Sequence, residues 1–148
     1  MDMTGYLIIN AKDVWTEYGA FLAETSREAH TNMDALLRIP KAKDITMVDF
    51  RERDGVELPD APLMKLESID RTLQFCIIAG SEAERLKRYR ELLVLLTSGK
   101  LSMQVKGYRT YRMIYKDMPS EPQWFNPHAG PYRVVFSVKF TDYAPEAG

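Results

Sequence analysis

The chain has 148 residues, 45% hydrophobic and 28% charged, with 20 basic against 21 acidic side chains. That length fits a single domain, residues 1–148, with a sizeable core, and the composition is that of a folded chain rather than a disordered one. The formal net charge of -1 excludes wholesale coating of a polyanion, which needs a basic domain or stripe.

Cys76 is the single cysteine, so an intramolecular disulfide is excluded and a reducing compartment is the simpler reading. Its setting, FCIIAG, is apolar, and the thiol is expected to be buried and inert. No stretch reaches the roughly 20 apolar residues that span a bilayer. The N-terminus, MDMTGYLIIN, has no basic n-region or long apolar run, so synthesis in the cytoplasm with no membrane partner is expected.

In chain order, Tyr6 to Asn10 (YLIIN) is a short apolar run of strand type. From Trp15 to Leu37 the residues Tyr18, Phe21, Leu22, Thr25, Ala29, Met33, Leu36 and Leu37 fall at helical spacing, interrupted by Gly19 and the polar ETSREAHTN. A strand or turn near Val14, then partly helical or irregular chain ending before Pro40, is the reading there. Ile45 to Phe50 (ITMVDF) alternates like a strand, Asp54-Gly55 marks a turn between extended pieces, and Pro59, Asp60 and Pro62 mark a loop.

Arg71 to Ala79 alternates cleanly, with Leu73, Phe75 and Ile77 on one face and Thr72, Gln74 and Cys76 on the other. Ser81 with Glu84 three residues later is a capping box that starts a helix spanning about 81–98. Leu86, Tyr89, Leu92, Leu93 and Leu96 form its expected buried stripe, and Gly99 its stop. Arg85, Lys87, Arg88 and Arg90 spread over the remaining circumference as a solvent or subunit face, with Glu84 and Arg88 an i,i+4 pair.

Leu101, Met103 and Val105 resume strand alternation, Gly107 sits at a turn, and Tyr111, Met113 and Tyr115 continue a second strand. Asp117 to Pro131 (DMPSEPQWFNPHAGP) reads as the longest loop. In the final strand, Arg133 to Thr141, Val134, Phe136, Val138 and Phe140 share one face. Six or seven strands around one main helix predict a mainly β (α+β) fold, an antiparallel sandwich or open barrel with that helix packed on it.

Chemistry-bearing constellations are sparse. His30 and His128 stand in no metal-ligand spacing. No nucleophile elbow or glycine-rich phosphate loop occurs, and Asp49, Glu52 and Asp54 alternate with Arg51 and Arg53 as a salt-bridged turn would. No catalytic, metal or cofactor-binding residue is therefore assigned, and the chain is not expected to be an enzyme. KGYRTYRMIYK (Lys106 to Lys116) interleaves bases with tyrosines. One reading is a single-stranded nucleic-acid platform using Lys106, Tyr108, Arg109, Tyr111 and Arg112; the other is a hairpin packing at a protein interface, favoured for exposed Tyr, Trp and Arg. Trp124-Phe125 in the proline-bounded loop either tuck onto the core or meet a partner.

Taken in order, DVWTEYGAFL, ITMVDFRERDGVEL, RTLQFCI, ERLKRYRELLVLLTSGKLSM, YRTYRMIYKDM and YRVVFSVKFTDYAP resemble the N-terminal ring-forming domain of phage distal-tail (Dit-like) proteins. Gly99-Lys100-Leu101 and Tyr111 to Tyr115 look like that family's G-x-L and tyrosine-centred strands. The resemblance runs from about Tyr6 to Pro145 and implies a non-enzymatic virion subunit without cofactors. In that family it forms a homo-oligomeric, hexameric ring linking the tail tube to the baseplate or tip, and its partners are itself and other phage or prophage tail proteins. A tail-tube or type VI secretion tube-like subunit is the alternative within the same fold family.

Overall fold

The computed structural model describes residues 2–24, 30–42, 48–49, 56–57, 65–128 and 130–146. Strands β1 (Leu7–Ile9) and β2 (Lys12–Asp13) pair across Asn10 and Ala11, whose positive φ values of 50° and 66° are those of a tight two-residue hairpin turn. Helix α1 (Val14–Tyr18) then leads into β3 (Ala20–Leu22), and α2 (Thr31–Leu37) follows. β4 (Val48–Asp49) and β5 (Val56–Glu57) pair with each other, and β6 (Ile69–Ala79) runs into α3 (Glu82–Leu96). β7 (Lys100–Val105), β8 (Thr110–Asp117), β9 (Gln123–Phe125) and β10 (Tyr132–Asp142) complete the described elements.

Eight strands form one antiparallel sheet in the order β2-β1-β7-β8-β10-β6-β3, with β9 also on β10. Its two edge strands, β2 and β3, are consecutive in sequence and joined by α1. The inward residues of β1, β7, β8, β10 and β6 belong to one core cluster, so the sheet curls around it. Of the two expected forms, the fold is the open barrel rather than two stacked sheets.

β10 is the spine. It pairs with β6 along its full length, from Tyr132 opposite Ala79 to Asp142 opposite Ile69. Its other edge is shared, β9 taking Arg133 to Val135 and β8 taking Lys139 to Asp142. The alternation expected for both long strands holds: Leu73, Phe75, Ile77, Val134, Phe136, Val138 and Phe140 are all core residues. Phe75 stacks on Phe136 at 5.5 Å and meets Phe140 edge-on at 6.2 Å. Each such buried side chain contributes about 1.5–3 kcal/mol relative to exposure.

Several expectations need correction. The strand or turn expected near Val14 is β2 and its hairpin, which end at Asp13, while Val14 itself opens a helix because the Asp13 carboxylate caps it, accepting from the Trp15 N–H at 3.0 Å. Gly19 ends that helix with φ 60°, and a Cβ there would lie 2.6 Å from the Ile78 carbonyl oxygen, so only glycine fits. The short helix α2 falls in the stretch expected to be partly helical and ends before Pro40, whereas β3 and β9 were not expected, β9 lying within the segment read as a loop. Of the Ile45–Phe50 strand only Val48–Asp49 is described, while the Asp54-Gly55 turn and the Pro59–Pro62 loop lie outside the described residues. The antiparallel pairing of β4 with β5 does span that turn.

Helix α3 begins as expected, with the Ser81 hydroxyl accepting from the Glu84 N–H at 3.2 Å. It ends at Leu96, two residues short of the expected 98, and Gly99 with φ 122° follows it into β7. Its buried face is rotated from the expected stripe. Arg85, Leu92, Leu95 and Leu96 point inward, whereas Leu86 is 48% exposed.

Candidate functional site

The rotation of α3 has two consequences, one inside and one outside. Inside, Arg85 is buried and reaches across to the β9–β10 pair. Its Nη1 donates to the carbonyls of Phe125 (3.0 Å) and Arg133 (3.1 Å), and its guanidinium sits 5.0 Å from the Trp124 ring and 5.4 Å from the Tyr132 ring. Two carbonyls and two π faces replace part of the water that a buried cation loses, and the Arg85 Nε is buried without a partner among the described residues. Tyr89, one turn on, meets Trp124 edge-on at 5.1 Å. Trp124 therefore tucks partly against the body while remaining 42% exposed beside Phe125.

Outside, Ala83, Leu86, Arg90 and Val94 line one shallow groove along the helix, at three- and four-residue spacing. Val94 is 70% exposed, the highest value among the large apolar residues described. Arg90 lies within the stripe and Lys87 and Glu91 flank it, so the expected charged face is in fact a mixed one. Arg88 is not part of it: it donates to Glu84 at 2.6 Å and to the Ile78 carbonyl at 2.7 Å, tying the helix to β6 and the α1 turn.

A second apolar region lies at the end of the barrel beside α2. Tyr6, Met33, Leu37 and Ile39 are exposed there. Between β1 and β3 opens a cleft of about 220 Å³ whose walls include Leu7, Ala20, Leu22, Leu36, Val105 and Tyr108. α2 is held over it at both ends. Glu24 accepts from the N–H groups of Thr31 and Asn32 at 2.8 and 2.9 Å. At the other end the Arg71 Nη1 donates to the carbonyls of Ala35, Leu36 and Arg38 at 2.6, 3.2 and 2.8 Å.

The Lys106–Lys116 hairpin is divided by the fold. Tyr111 is buried, its hydroxyl donating to the Leu36 carbonyl at 2.8 Å, so it offers no face to a base. Burial raises its phenol above the ordinary value, with Arg109 and Arg71 pulling the other way. Arg109 lies over the Tyr111 ring at 4.1 Å and pairs with Asp142 at 3.1 Å. Tyr108 is half-buried in the cleft wall, Lys106 covers the Tyr6 ring at 4.8 Å, and Lys116 pairs with Asp70. The aromatic and basic residues of the nucleic-acid reading are thus largely committed to one another.

His30 is an exposed residue before α2, and His128 is exposed near the end of the β9–β10 connection. Among the described residues no group of three or more His, Cys, Asp or Glu side chains is placed to hold a metal ion. Cys76 is buried, and burial raises its thiol above the ordinary value. No helix among the described residues is long and apolar enough to cross a membrane.

No protein-family model matches the chain, and no curated protein matches it. Among solved structures the chain is similar to SPP1 Dit (gp 19.1), a paradigm of the hub adsorption apparatus in phages that infect Gram-positive bacteria. The TM-score is 0.45 at 14% identity, over 90% of this chain and 48% of that one. The chain thus spans about half the length of that protein.

Proposed function

We propose that the chain is a structural subunit of a phage tail, assembling with copies of itself into a hexameric ring at the distal end, as a hub between tube and tip. The observation that carries this reading is the outer stripe of α3, where Leu86 and Val94 stand exposed on a helix whose opposite side is already packed into the core. Large apolar side chains left exposed on one helix face and rimmed by charged ones mark an interaction site. The second apolar region, around Leu37 and Ile39, supplies a distinct surface, as a head-to-tail ring needs. The order of sequence segments that resembles distal-tail proteins supports the same reading, and its virion location and tail-protein partners follow from it.

Native mass spectrometry and negative-stain imaging of the purified chain, at rising concentration, test the proposal. Closed rings are expected for the wild type. The double variant Leu86→Glu, Val94→Glu should keep its circular dichroism but assemble at least about tenfold more weakly, since losing one hot spot of 1.4 kcal/mol or more has that effect. A wild type that stays monomeric throughout, or a variant that assembles equally well, would sink the reading.

A further inference from the structure

Helix α2 roofs the cleft between β1 and β3 without filling it, and the space left beneath is apolar. Its walls are side chains such as Leu7, Ala20, Leu22, Leu36 and Val105, all in or against the core. The polar groups that border it are already bonded. Each Glu24 oxygen accepts one α2 amide, and Asn32 accepts from the Gln74 N–H while donating to the Ala23 carbonyl. A water molecule in a cavity needs two to four polar partners, so this space is hydrated poorly and favours an apolar guest.

Lys106 is the exception. It borders the same cleft, its ammonium is set 4.8 Å over the Tyr6 ring, and it has no carboxylate partner among the described residues. Volume sets the size of the guest. An apolar cavity of about 150 Å³ takes benzene, so the 220 Å³ here suits a body of about eight or nine carbons.

We propose that the cleft binds a small amphiphilic acid, an apolar body of about eight carbons with one carboxylate, its body against Leu7, Ala20 and Leu36 and its carboxylate on Lys106. Charge fixes the orientation: Glu24, just beyond β3, repels the anionic end, and Lys106, at the end of β7 on the opposite wall, attracts it. Met3 and Met33, also in the lining, are flexible enough to close on a straight chain or a ring.

The test titrates the full chain, isotope-labelled at its methyl groups, with straight-chain carboxylates from butanoate to dodecanoate, read by nuclear magnetic resonance. The methyl signals of Leu7, Leu22, Leu36 and Val105 should shift. Affinity should rise about fourfold per added carbon, as burying a CH₂ group gives, and level off near about nine carbons, where the tail outgrows the cleft. Octanoate should bind about five times more tightly than octylammonium, the upper end for an exposed ion pair. Lys106→Glu, at an exposed position, should reverse that order and leave the rise per carbon unchanged. Cleft methyl signals that stay still, or shifts confined to Leu86 and Val94 on α3, would overturn the proposal. So would an affinity that climbs steadily to dodecanoate, or a preference for the acid that survives Lys106→Glu. Each of these outcomes leaves the ring reading standing, because that rests on the outer face of α3.

Discussion

Arg71 and Asp142 meet at 3.0 Å between Nε and Oδ2, with side chains 1% and 0% exposed, at one end of the antiparallel pair of β6 and β10. The same Asp142 oxygen accepts from Arg109 at 3.1 Å, and its other oxygen from the Ala144 N–H at 3.3 Å. Two guanidinium groups on one carboxylate leave one positive charge over. The α2 carbonyls that Arg71 reaches, at the negative end of that helix, offset it.

Removing the carboxylate charge strands both cations in the interior. Asp142→Asn is expected to cost about 3–5 kcal/mol, the range for breaking a buried pair on one side. Urea denaturation followed by circular dichroism measures it, and a loss below about 1 kcal/mol would mean that the Ala35–Arg38 carbonyls alone hold Arg71.

Arg85→Met keeps the length of the side chain but removes the donor to Phe125 and Arg133. β9 should then loosen from α3. Trp124 emission should move to longer wavelength against the constant contribution of Trp15, with about 1.5–3 kcal/mol lost, the usual range for hydrogen bonds to a charged group. Unchanged emission would show that pairing with β10 suffices to hold β9.

Asn32 acts as a one-residue extension of β3. Its Oδ1 accepts from the Gln74 N–H at 2.7 Å, and its Nδ2 donates to the Ala23 carbonyl at 2.9 Å. Asn32→Leu should cost about 1–3 kcal/mol by leaving the Gln74 amide without a partner. Its proton resonance should move upfield and its exchange quicken; an unperturbed Gln74 amide would contradict this role.

Two groups set opposite pH limits. Lys116 holds the Asp70 carboxyl below its ordinary 3.8, so its contribution is present above that value and is lost as pH falls through the lower folded value. The pair is partly exposed and its share is small. Burial raises the Tyr111 phenol above its ordinary 10.0, so the stability tied to its neutral form is whole below that value. It is lost as pH rises through the higher folded value. Tyr111→Phe should flatten the alkaline limb of a stability–pH curve while lowering the neutral plateau; a limb that stays as steep would assign alkaline sensitivity to another tyrosine.

The long strands were legible because their apolar residues alternate without interruption, as at Leu73, Phe75 and Ile77. The start of α3 was legible from Ser81 and Glu84. The elements missed, or left open between helix and irregular chain, are three to seven residues long, too short for periodicity, and are placed by tertiary bonds: Asp13 caps α1, Glu24 and Arg71 hold α2, and Arg85 holds β9. Arg85 was misjudged, and Arg71 passed over, for one physical reason. A charge is costly to bury unless carbonyls, π faces or a carboxylate await it, and those arrive from residues tens of positions away. Leu86 and Val94, read from sequence as one core residue and one unremarked one, form the exposed stripe because Arg85 took the inward position.

The placement of β10 bears on how the chain is made. Until a ribosome has released residues up to Asp142, β6 lacks its partner along one entire edge, and Phe75 has neither Phe136 nor Phe140 to pack against. The hairpin of β7 and β8 can form early from neighbouring residues, but the barrel cannot close around it. Nascent chains should therefore carry β6 as an open, apolar edge from its own emergence until that of β10. Capture of that edge by another nascent chain competes with folding, and slow loop closure sets the rate of the final step.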